Sequence, residues 1–236
     1  MSIETVAVVI PAHDEEALLP AALAAVAVAA GHPGLAAVRV RTVVVADACR
    51  DRTARLARAA GALAVVTDSR NPGRARDAGV RHALARYAGR GGGVWIATTD
   101  ADSTVPPDWL AYQLARAREG WQAVVGTVVL PCSSPLAAPH RALYETSRPT
   151  DGTLWHHPHV HGANLGVHAA AYLDVGGFAP LETGEDRALV DALEHRGHRV
   201  LRTALCPVLT SPRLHARARD GFGAYLAAMP RAATTS

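Results

Sequence analysis

The sequence contains no lysine, because all 24 of its basic residues are arginines. This absence excludes a Walker A phosphate-binding loop, a Schiff base with pyridoxal phosphate and a lysine general base. Aromatic residues make up only 5% of the chain, which argues against a stacking platform for nucleic acid bases. The 24 basic residues nearly balance 21 acidic ones, so we expect local basic patches and no nucleic acid partner.

Paired cysteines and long apolar runs are also missing. Cys49, Cys132 and Cys206 are odd in number and far apart, which argues against a disulfide framework or a thiolate zinc site. The longest apolar stretch, Leu18 to Ala30, contains Pro20 and falls short of the ~20 residues that span a bilayer. The first residues are not basic, so no signal peptide is expected. We predict a cytoplasmic protein without a transmembrane segment.

Strand-like and helix-like segments alternate along the first half of the chain. Thr5–Ile10 is a continuous β-branched run, typical of a buried parallel strand, and a helix is predicted from Asp14 to about Ala30. The same alternation predicts strands over Val38–Ala46, Ala62–Thr67 and Val94–Thr99, and helices over Asp51–Ala60, Ala75–Ala88 and Asp108–Glu119. Repeated βαβ units predict an α/β fold with a mostly parallel sheet flanked by helices.

The second half is less regular. Val124–Leu130 is a predicted strand, whereas Pro131–His161 lacks periodicity and is interpreted as a long functional loop. Glu185–His195 and Phe222–Met229 are predicted helices. Because no linker separates the two halves, we predict one continuous core and a single domain over residues 1–236.

Acidic residues follow three of the predicted strands, at Pro11–Glu15, Asp47–Asp51 and Asp100–Asp102. Ligands of open α/β sheets bind beyond these carboxyl ends. So many carboxylates suit a divalent cation, Mg²⁺ or Mn²⁺, placed between the protein and a diphosphate. Taken alone, the Asp-x-Asp would be better interpreted as a pair of turn-forming acids before Pro106-Pro107.

Seven short motifs occur in a specific order and spacing. They are Val8–Glu15 (VVIPAHDE), Val45–Thr53 (VADACRDRT), Asn71–Gly79 (NPGRARDAG), Thr99–Asp102 (TDAD), Gly162–Asn164 (GAN), Gly176–Phe178 (GGF) and Gly184–Asp186 (GED). Together they resemble family 2 glycosyltransferases of the GT-A fold over most of the chain. The resemblance implies a Rossmann-like sheet, with residues 1–120 binding a nucleotide sugar and residues 121–236 binding the acceptor.

The resemblance also implies an activity and a set of site residues. The activity is metal-dependent transfer of a hexose from a nucleotide-diphosphate sugar to an acceptor hydroxyl, with inversion. Nucleotide-sugar contacts fall on Pro11, Ala12, Glu15, Asp47, Arg76, Asp100, Ala101 and Asp102, and acceptor or diphosphate contacts on Asn164, Glu185, Arg213 and Arg217. Asp186 would be the general base, because a sugar hydroxyl attacks well only while its proton is removed. The acceptor could be a small molecule, a saccharide or a lipid-linked compound.

The chain departs from the family pattern at three places. Ala46 stands where many members have an acid, and Asp77 replaces the usual asparagine. Many members also place a metal-binding histidine where this chain has Leu209–Pro212, so that either His215 or a water molecule would join Asp102 on the metal. For Asp186 the alternative interpretation is a helix cap.

Two further groups of residues allow more than one interpretation. His157, His159 and His161 would point the same way in an extended segment, lining the acceptor pocket or a solvated loop, and a zinc site ranks last. Arg213, Arg217 and Arg219 suit either a phosphate grip or a solvated helix face.

Three other functions are weighed against transfer. A sugar-phosphate nucleotidyltransferase generally has a Gly-rich basic opening loop with a lysine, which this chain lacks. A noncatalytic nucleotide-sugar-binding protein would not need both Asp102 and Asp186. A nicotinamide dehydrogenase is disfavoured, because no Gly-x-Gly-x-x-Gly follows the first strand.

Overall fold

The computed structural model describes residues 3–87, 93–150, 156–214 and 221–229. The strands in this part of the chain are β1 (Ile3–Ala12), β2 (Arg39–Asp47), β3 (Leu63–Thr67), β4 (Gly93–Thr98), β5 (Ser103–Thr104), β6 (Ala123–Val129), β7 (Leu165–His168) and β8 (Val200–Thr210). The helices are α1 (Leu19–Ala30), α2 (Thr53–Ala59), α3 (Pro72–Tyr87), α4 (Trp109–Arg118), α5 (Ala137–Thr146), α6 (Ala169–Asp174), α7 (Glu185–His195) and α8 (Phe222–Ala228).

The strands form one sheet in the order β3-β2-β1-β4-β7-β6-β8-β5. The first half contributes the parallel block, in which β1 pairs with both β2 and β4, and β2 pairs with β3. In the second half, β7 lies antiparallel between β4 and β6, while β6 and β8 run parallel. The predicted α/β architecture, a mostly parallel sheet flanked by helices, is confirmed.

Helices cover both faces of the sheet, which explains why the run Val6–Ile10 of β1 is apolar on both faces. Val6, Val8 and Ile10 pack into a core shared with α1 and α4. Ala7 and Val9 point to the other face, into a core shared with α3 and α7. Among the described residues, no helix combines the length and the apolar content needed to cross a bilayer.

Two of the predicted segments were wrong in their extent. The first helix begins at Leu19, not at Asp14, because Asp14 has a φ of 50° and lies in a turn. The segment Pro131–His161 is not wholly aperiodic, since it contains α5. The buried positions of α5 have helical spacing, but they carry one small apolar residue, Ala137, with His140 and Tyr144, so they do not form a conventional hydrophobic stripe.

Candidate active site

A cavity of about 860 Å³ opens beyond the carboxyl ends of β1, β2 and β4, facing the start of α7. Most of the residues predicted from the sequence line it, namely Pro11, Ala12, Glu15, Asp47, Arg76, Asp100, Ala101, Asp102, Glu185, Asp186 and Arg213. The structure therefore brings these residues together, although their individual roles remain predictions. His215, Arg217 and Arg219 lie outside the described residues.

Arg213 joins two of the acidic strand ends. Its guanidinium donates hydrogen bonds of 2.6 and 3.1 Å to the two carboxylate oxygens of Glu15, and its Nη2 lies 2.8 Å from Oδ2 of Asp102. The Glu15 side chain is buried, so its charge requires a partner inside the protein. The Glu15–Asp102 pair thus already binds a cation, supplied by a residue that follows β8.

The electrostatics of Asp102 show that one guanidinium does not balance the local charge. Burial and the neighbouring Asp100 carboxylate raise the pKa of Asp102 above its usual range, and Arg213 lowers it only in part. A further positive charge at this position would stabilise the ionised carboxylate.

Arg76 connects the Asp-x-Asp turn to the start of α7. Its guanidinium donates hydrogen bonds to Asp100 and to Glu185, and its side chain is buried. Burial alone would lower the pKa of Arg76, but the carboxylates of Asp100, Glu185 and Asp186 hold it above its usual value. Burial correspondingly raises the pKa of Glu185, an effect that Arg76 opposes. The charged arginine therefore holds two acids from opposite halves of the chain, one after β4 and one at the start of α7.

Asp186 lies in the first turn of α7 with its carboxylate fixed by two backbone amides. Oδ2 accepts a hydrogen bond of 2.7 Å from the amide of Gly162, and Oδ1 accepts one of 2.7 Å from the amide of Arg187. The N-cap position of the helix is Gly184, which has a φ of 73° and, lacking a side chain, cannot accept a capping hydrogen bond. This half-buried carboxylate lines the cavity, and each of its oxygens keeps a lone pair that can accept a further hydrogen bond.

Gly162 is the contact point between Arg76 and Asp186, and substituting it should disturb both. A Cβ atom at this position would lie 2.5 Å from Nη2 of Arg76. We expect Gly162→Ala to lower the free energy of unfolding by about 1–3 kcal/mol, as overpacking typically does. Urea denaturation measures this effect, with Gly31→Ala as the control because a Cβ there meets nothing closer than 3.5 Å. Equal stability of the two variants would contradict the tight packing at Gly162.

Asp47, at the end of β2, organises the loop that follows β3. Oδ1 accepts hydrogen bonds from the Thr67 hydroxyl and from the amide and hydroxyl of Ser69, and Oδ2 accepts one from the amide of Asn71. Burial raises the pKa of Asp47, but these hydrogen bonds outweigh it, so that the pKa lies below its usual value. The ionised carboxylate therefore shapes this wall of the cavity.

A second acidic group ties the loops after β1 and β2 together. One ligand-type atom from each of Asp14, Cys49 and Asp51 lies within 4.8 Å of the others. Oδ1 of Asp14 accepts a hydrogen bond of 2.6 Å from the amide of Arg50, and Oδ2 of Asp51 accepts one of 2.9 Å from the amide of Glu16. These bonds across the two loops fix the backbone that carries Glu15.

Ring side chains form the remaining wall, and most of them were not predicted as site residues. The rings of His159 and Tyr144 stack at 4.0 Å between centroids, and His161 lies 6.4 Å from His159 in a nearly parallel plane. Phe222 and Tyr225 of α8 complete the wall. His157, His159 and His161 point toward one side, as predicted for an extended segment. The packing of α5 and α8 beside this segment could not be predicted from the sequence.

Asn164 lies behind the cavity and is not among the residues that line it. Its Nδ2 donates hydrogen bonds of 2.9 and 2.8 Å to the carbonyls of Thr127 and Cys206, and its Oδ1 accepts one of 2.9 Å from Nε1 of Trp109. The buried amide thus joins β6, β8 and α4. Its predicted contact with acceptor or diphosphate remains a prediction.

The hydrogen bonds of Asn164 predict an effect on stability. Asn164→Leu keeps the approximate volume but leaves buried partners without a hydrogen bond. We expect the free energy of unfolding to fall by at least about 2 kcal/mol, which urea denaturation measures. Unchanged stability combined with weaker ligand binding would instead assign Asn164 to the binding site.

Solved structures with the same architecture share low sequence identity with this chain. The mannosyltransferase PcManGT from Pyrobaculum calidifontis, in complex with GDP-Man and Mn²⁺, is 22% identical with a TM-score of 0.66, over 86% of this chain and 56% of that one. S. aureus TarS 1-349 with UDP-GlcNAc is 15% identical with a TM-score of 0.63, over 89% of this chain and 59% of that one. Glucosyl-3-phosphoglycerate synthase from Mycobacterium tuberculosis, in complex with Mn²⁺, UDP and glucosyl-3-phosphoglycerate, is 20% identical with a TM-score of 0.57. The match covers 88% of this chain and 72% of that one.

These likenesses show that the fold is GT-A, as the motifs predicted. The profile of "Glycosyl transferase family 2" matches residues 7–176, and the chain belongs to this family. Membership in this family disfavours the alternative of a sugar-phosphate nucleotidyltransferase. No curated protein sequence matches the chain. The chain spans just over half of the length of the first solved structure, at 56%.

Proposed function

We propose that the chain transfers a hexose from a nucleotide-diphosphate sugar to an acceptor hydroxyl, with inversion and with Asp186 as general base. One observation carries this proposal: the cation-binding carboxylates Glu15 and Asp102 share a cavity with the amide-held carboxylate of Asp186. The structural neighbours crystallised with GDP-Man or UDP and Mn²⁺ support the choice of donor.

The residues at the Asp-x-Asp turn fit a divalent cation. Carboxylate oxygens are the ligands that Mn²⁺ and Mg²⁺ prefer. The guanidinium of Arg213 shows that Glu15 and Asp102 can bind a positive charge together. Asp102 would hold the metal, together with His215 or a water molecule. When bound, the metal would neutralise the charge of the leaving diphosphate.

Each of the protein's own groups has a separate role in this proposal. Asp186 takes the proton of the acceptor hydroxyl. It can do so because each of its oxygens keeps a lone pair in addition to the one that accepts a hydrogen bond from a backbone amide. Arg76 keeps Asp100 and Glu185 in position at the cavity by binding both with one guanidinium. Pro11, Ala12 and the loop ordered by Asp47 would contact the nucleoside.

The broader assignments follow from the same proposal. Residues 1–120 would bind the donor and residues 121–236 the acceptor, within one domain. The three cysteines are free thiols, which fits a reducing cytoplasm.

Calorimetric titration tests the proposed donor and metal together. We expect UDP or GDP, and their hexose derivatives, to bind much more tightly with Mn²⁺ than with EDTA. A nucleotidyltransferase would instead bind a nucleoside triphosphate and a sugar 1-phosphate. Equal nucleotide affinity with and without metal would contradict the metal-dependent mechanism.

Arg213 should compete with the metal when no nucleotide is present. We expect Arg213→Gln to bind Mn²⁺ alone about tenfold more tightly than the wild type, because the Glu15–Asp102 pair no longer has to release a guanidinium. The electron paramagnetic resonance signal of free Mn²⁺ measures this affinity. Arg196→Gln, which removes an exposed ion pair with Asp174, is the control. Unchanged or weaker Mn²⁺ binding by Arg213→Gln would show that the two cations do not share the site.

A further inference from the structure

The acceptor side of the cavity is a surface of rings. We define the ring wall as Tyr144, His159, His161, Phe222 and Tyr225, all of which line the same cavity as Asp186. Phe222 meets His161 edge to face at 5.5 Å and stacks with Tyr225 at 6.0 Å. Tyr144 donates or accepts a hydrogen bond of 2.6 Å with Nε2 of His161, which fixes the two rings relative to each other. The wall is therefore an ordered surface built from three separate segments.

The ring wall lies directly beside the proposed base. His161 precedes Gly162, and the amide of Gly162 donates to Oδ2 of Asp186. Asp186 and Arg187, in the first turn of α7, line the same cavity as His159 and His161. A molecule resting on the rings would consequently present its edge to Asp186.

The wall carries no net charge near neutral pH. Burial lowers the pKa of His161 to about 3 and that of His159 to about 4, with smaller contributions from neighbouring histidines and Arg187. Burial also raises the pKa of the Tyr144 hydroxyl. Both imidazoles are thus neutral, and the wall offers ring faces and hydrogen-bonding edges instead of a cationic grip.

Polar groups face this wall from the loop before α7 and from its first turn. Glu182, Thr183, Asp186 and Arg187 line the cavity there. A pyranose ring matches such a site, because its C–H face complements the negative face of an aromatic ring and its hydroxyls require polar partners at the edge. We propose that the acceptor is a neutral saccharide whose pyranose ring packs on the ring wall, a proposal that rests on the transferase function above.

The same features disfavour two other kinds of acceptor. A phosphate-bearing acceptor would face neutral rings and the carboxylates of Glu182 and Asp186, whereas anion sites use arginine forks. Among the described residues of the loop before α7 and its first turn, Arg187 is a single exposed cation next to these carboxylates. A flat aromatic alcohol would stack on the ring wall. It would, however, leave the polar groups of Glu182, Thr183 and Arg187 desolvated and without hydrogen-bond partners.

Saturation-transfer NMR on the donor-free enzyme tests the proposal independently of nucleotide binding. The probes are neutral methyl pyranosides and disaccharides, 3-phosphoglycerate, glucose 6-phosphate and 4-nitrophenol. We expect neutral saccharides to bind through their C–H face, and Tyr225→Ala to weaken this binding about tenfold. Tyr225 is 43% exposed, so its removal should not affect folding. Tyr87→Ala, which removes a tyrosine at the far end of α3, is the matched control and should leave binding unchanged.

Several results would overturn the proposal. They are tighter binding of a phosphorylated probe than of every neutral saccharide, preferred binding of 4-nitrophenol, absence of saccharide binding, or saccharide binding that is equal in Tyr225→Ala and the wild type. Because no nucleotide or metal is present, a failure here leaves the calorimetric test of donor binding unaffected. Conversely, saccharide binding that depends on Tyr225 supports the acceptor site even if the donor assignment fails.

Discussion

Asp186→Asn is expected to lower sugar transfer by about 10²–10⁴-fold while donor affinity stays close to that of the wild type. Asparagine keeps the shape of the side chain, and its carbonyl oxygen can still accept the amide hydrogen bond from Gly162. It loses the basic carboxylate that removes the proton of the acceptor hydroxyl. Single-turnover transfer, measured together with calorimetric donor binding, separates the two effects.

The alternative role of Asp186 predicts a different outcome. Asp186 accepts hydrogen bonds from two backbone amides, and asparagine can accept only one of them. For a purely structural Asp186 the substitution would therefore lower stability but leave transfer by the folded protein almost unchanged. Asp191→Asn on the exposed side of the same helix is the matched control and should transfer sugar normally. Near-normal transfer by Asp186→Asn would mean that another group is the base.

Asp102→Asn is expected to weaken nucleotide binding in the presence of Mn²⁺ by at least about 100-fold, since loss of even an outer-shell partner typically costs 10–100-fold in metal affinity. Binding in EDTA should change little, because Arg213 keeps its two hydrogen bonds to Glu15. Calorimetry under both conditions measures the difference.

The control for Asp102 is an acid that pairs with arginine away from the cavity. Asp174 pairs with Arg196 and His198 on the surface, so Asp174→Asn should bind nucleotide and metal as the wild type does. An equal loss of affinity with and without Mn²⁺ in Asp102→Asn would assign Asp102 to nucleotide contact instead of metal binding.

Local sequence was sufficient to predict the parallel part of the sheet and the acids at its edge. The run Val6–Ile10 is apolar on both faces because helices cover both, and this pattern requires no knowledge of distant residues. The position of Asp47 and of Asp100–Asp102 at strand ends then follows from topology. The predicted start of α1 at Asp14 was wrong. Asp14 has a positive φ and accepts a hydrogen bond from the loop after β2, so it lies in a turn before the helix.

Contacts between distant segments could not be predicted from sequence. Arg213 meets Glu15 across 198 residues, and Arg76 meets Glu185 across 109. Asn164 belongs to a sequence motif, yet it makes its hydrogen bonds inside the core, a difference that only the packing of β6, β8 and α4 shows. The ring wall depends on α5, a helix within the segment that was interpreted as an aperiodic loop, because its buried positions include His140 and Tyr144.

The most direct test of the central claim is the fate of a labelled nucleotide sugar incubated with the wild-type protein, Mn²⁺ and a panel of hydroxyl acceptors. We predict that released nucleoside diphosphate and transferred sugar appear in equal amounts, that the new glycosidic bond has inverted configuration, and that EDTA abolishes both products. A nucleotide sugar that binds in the presence of Mn²⁺ but remains intact with every acceptor would contradict a transferase and indicate a binding protein.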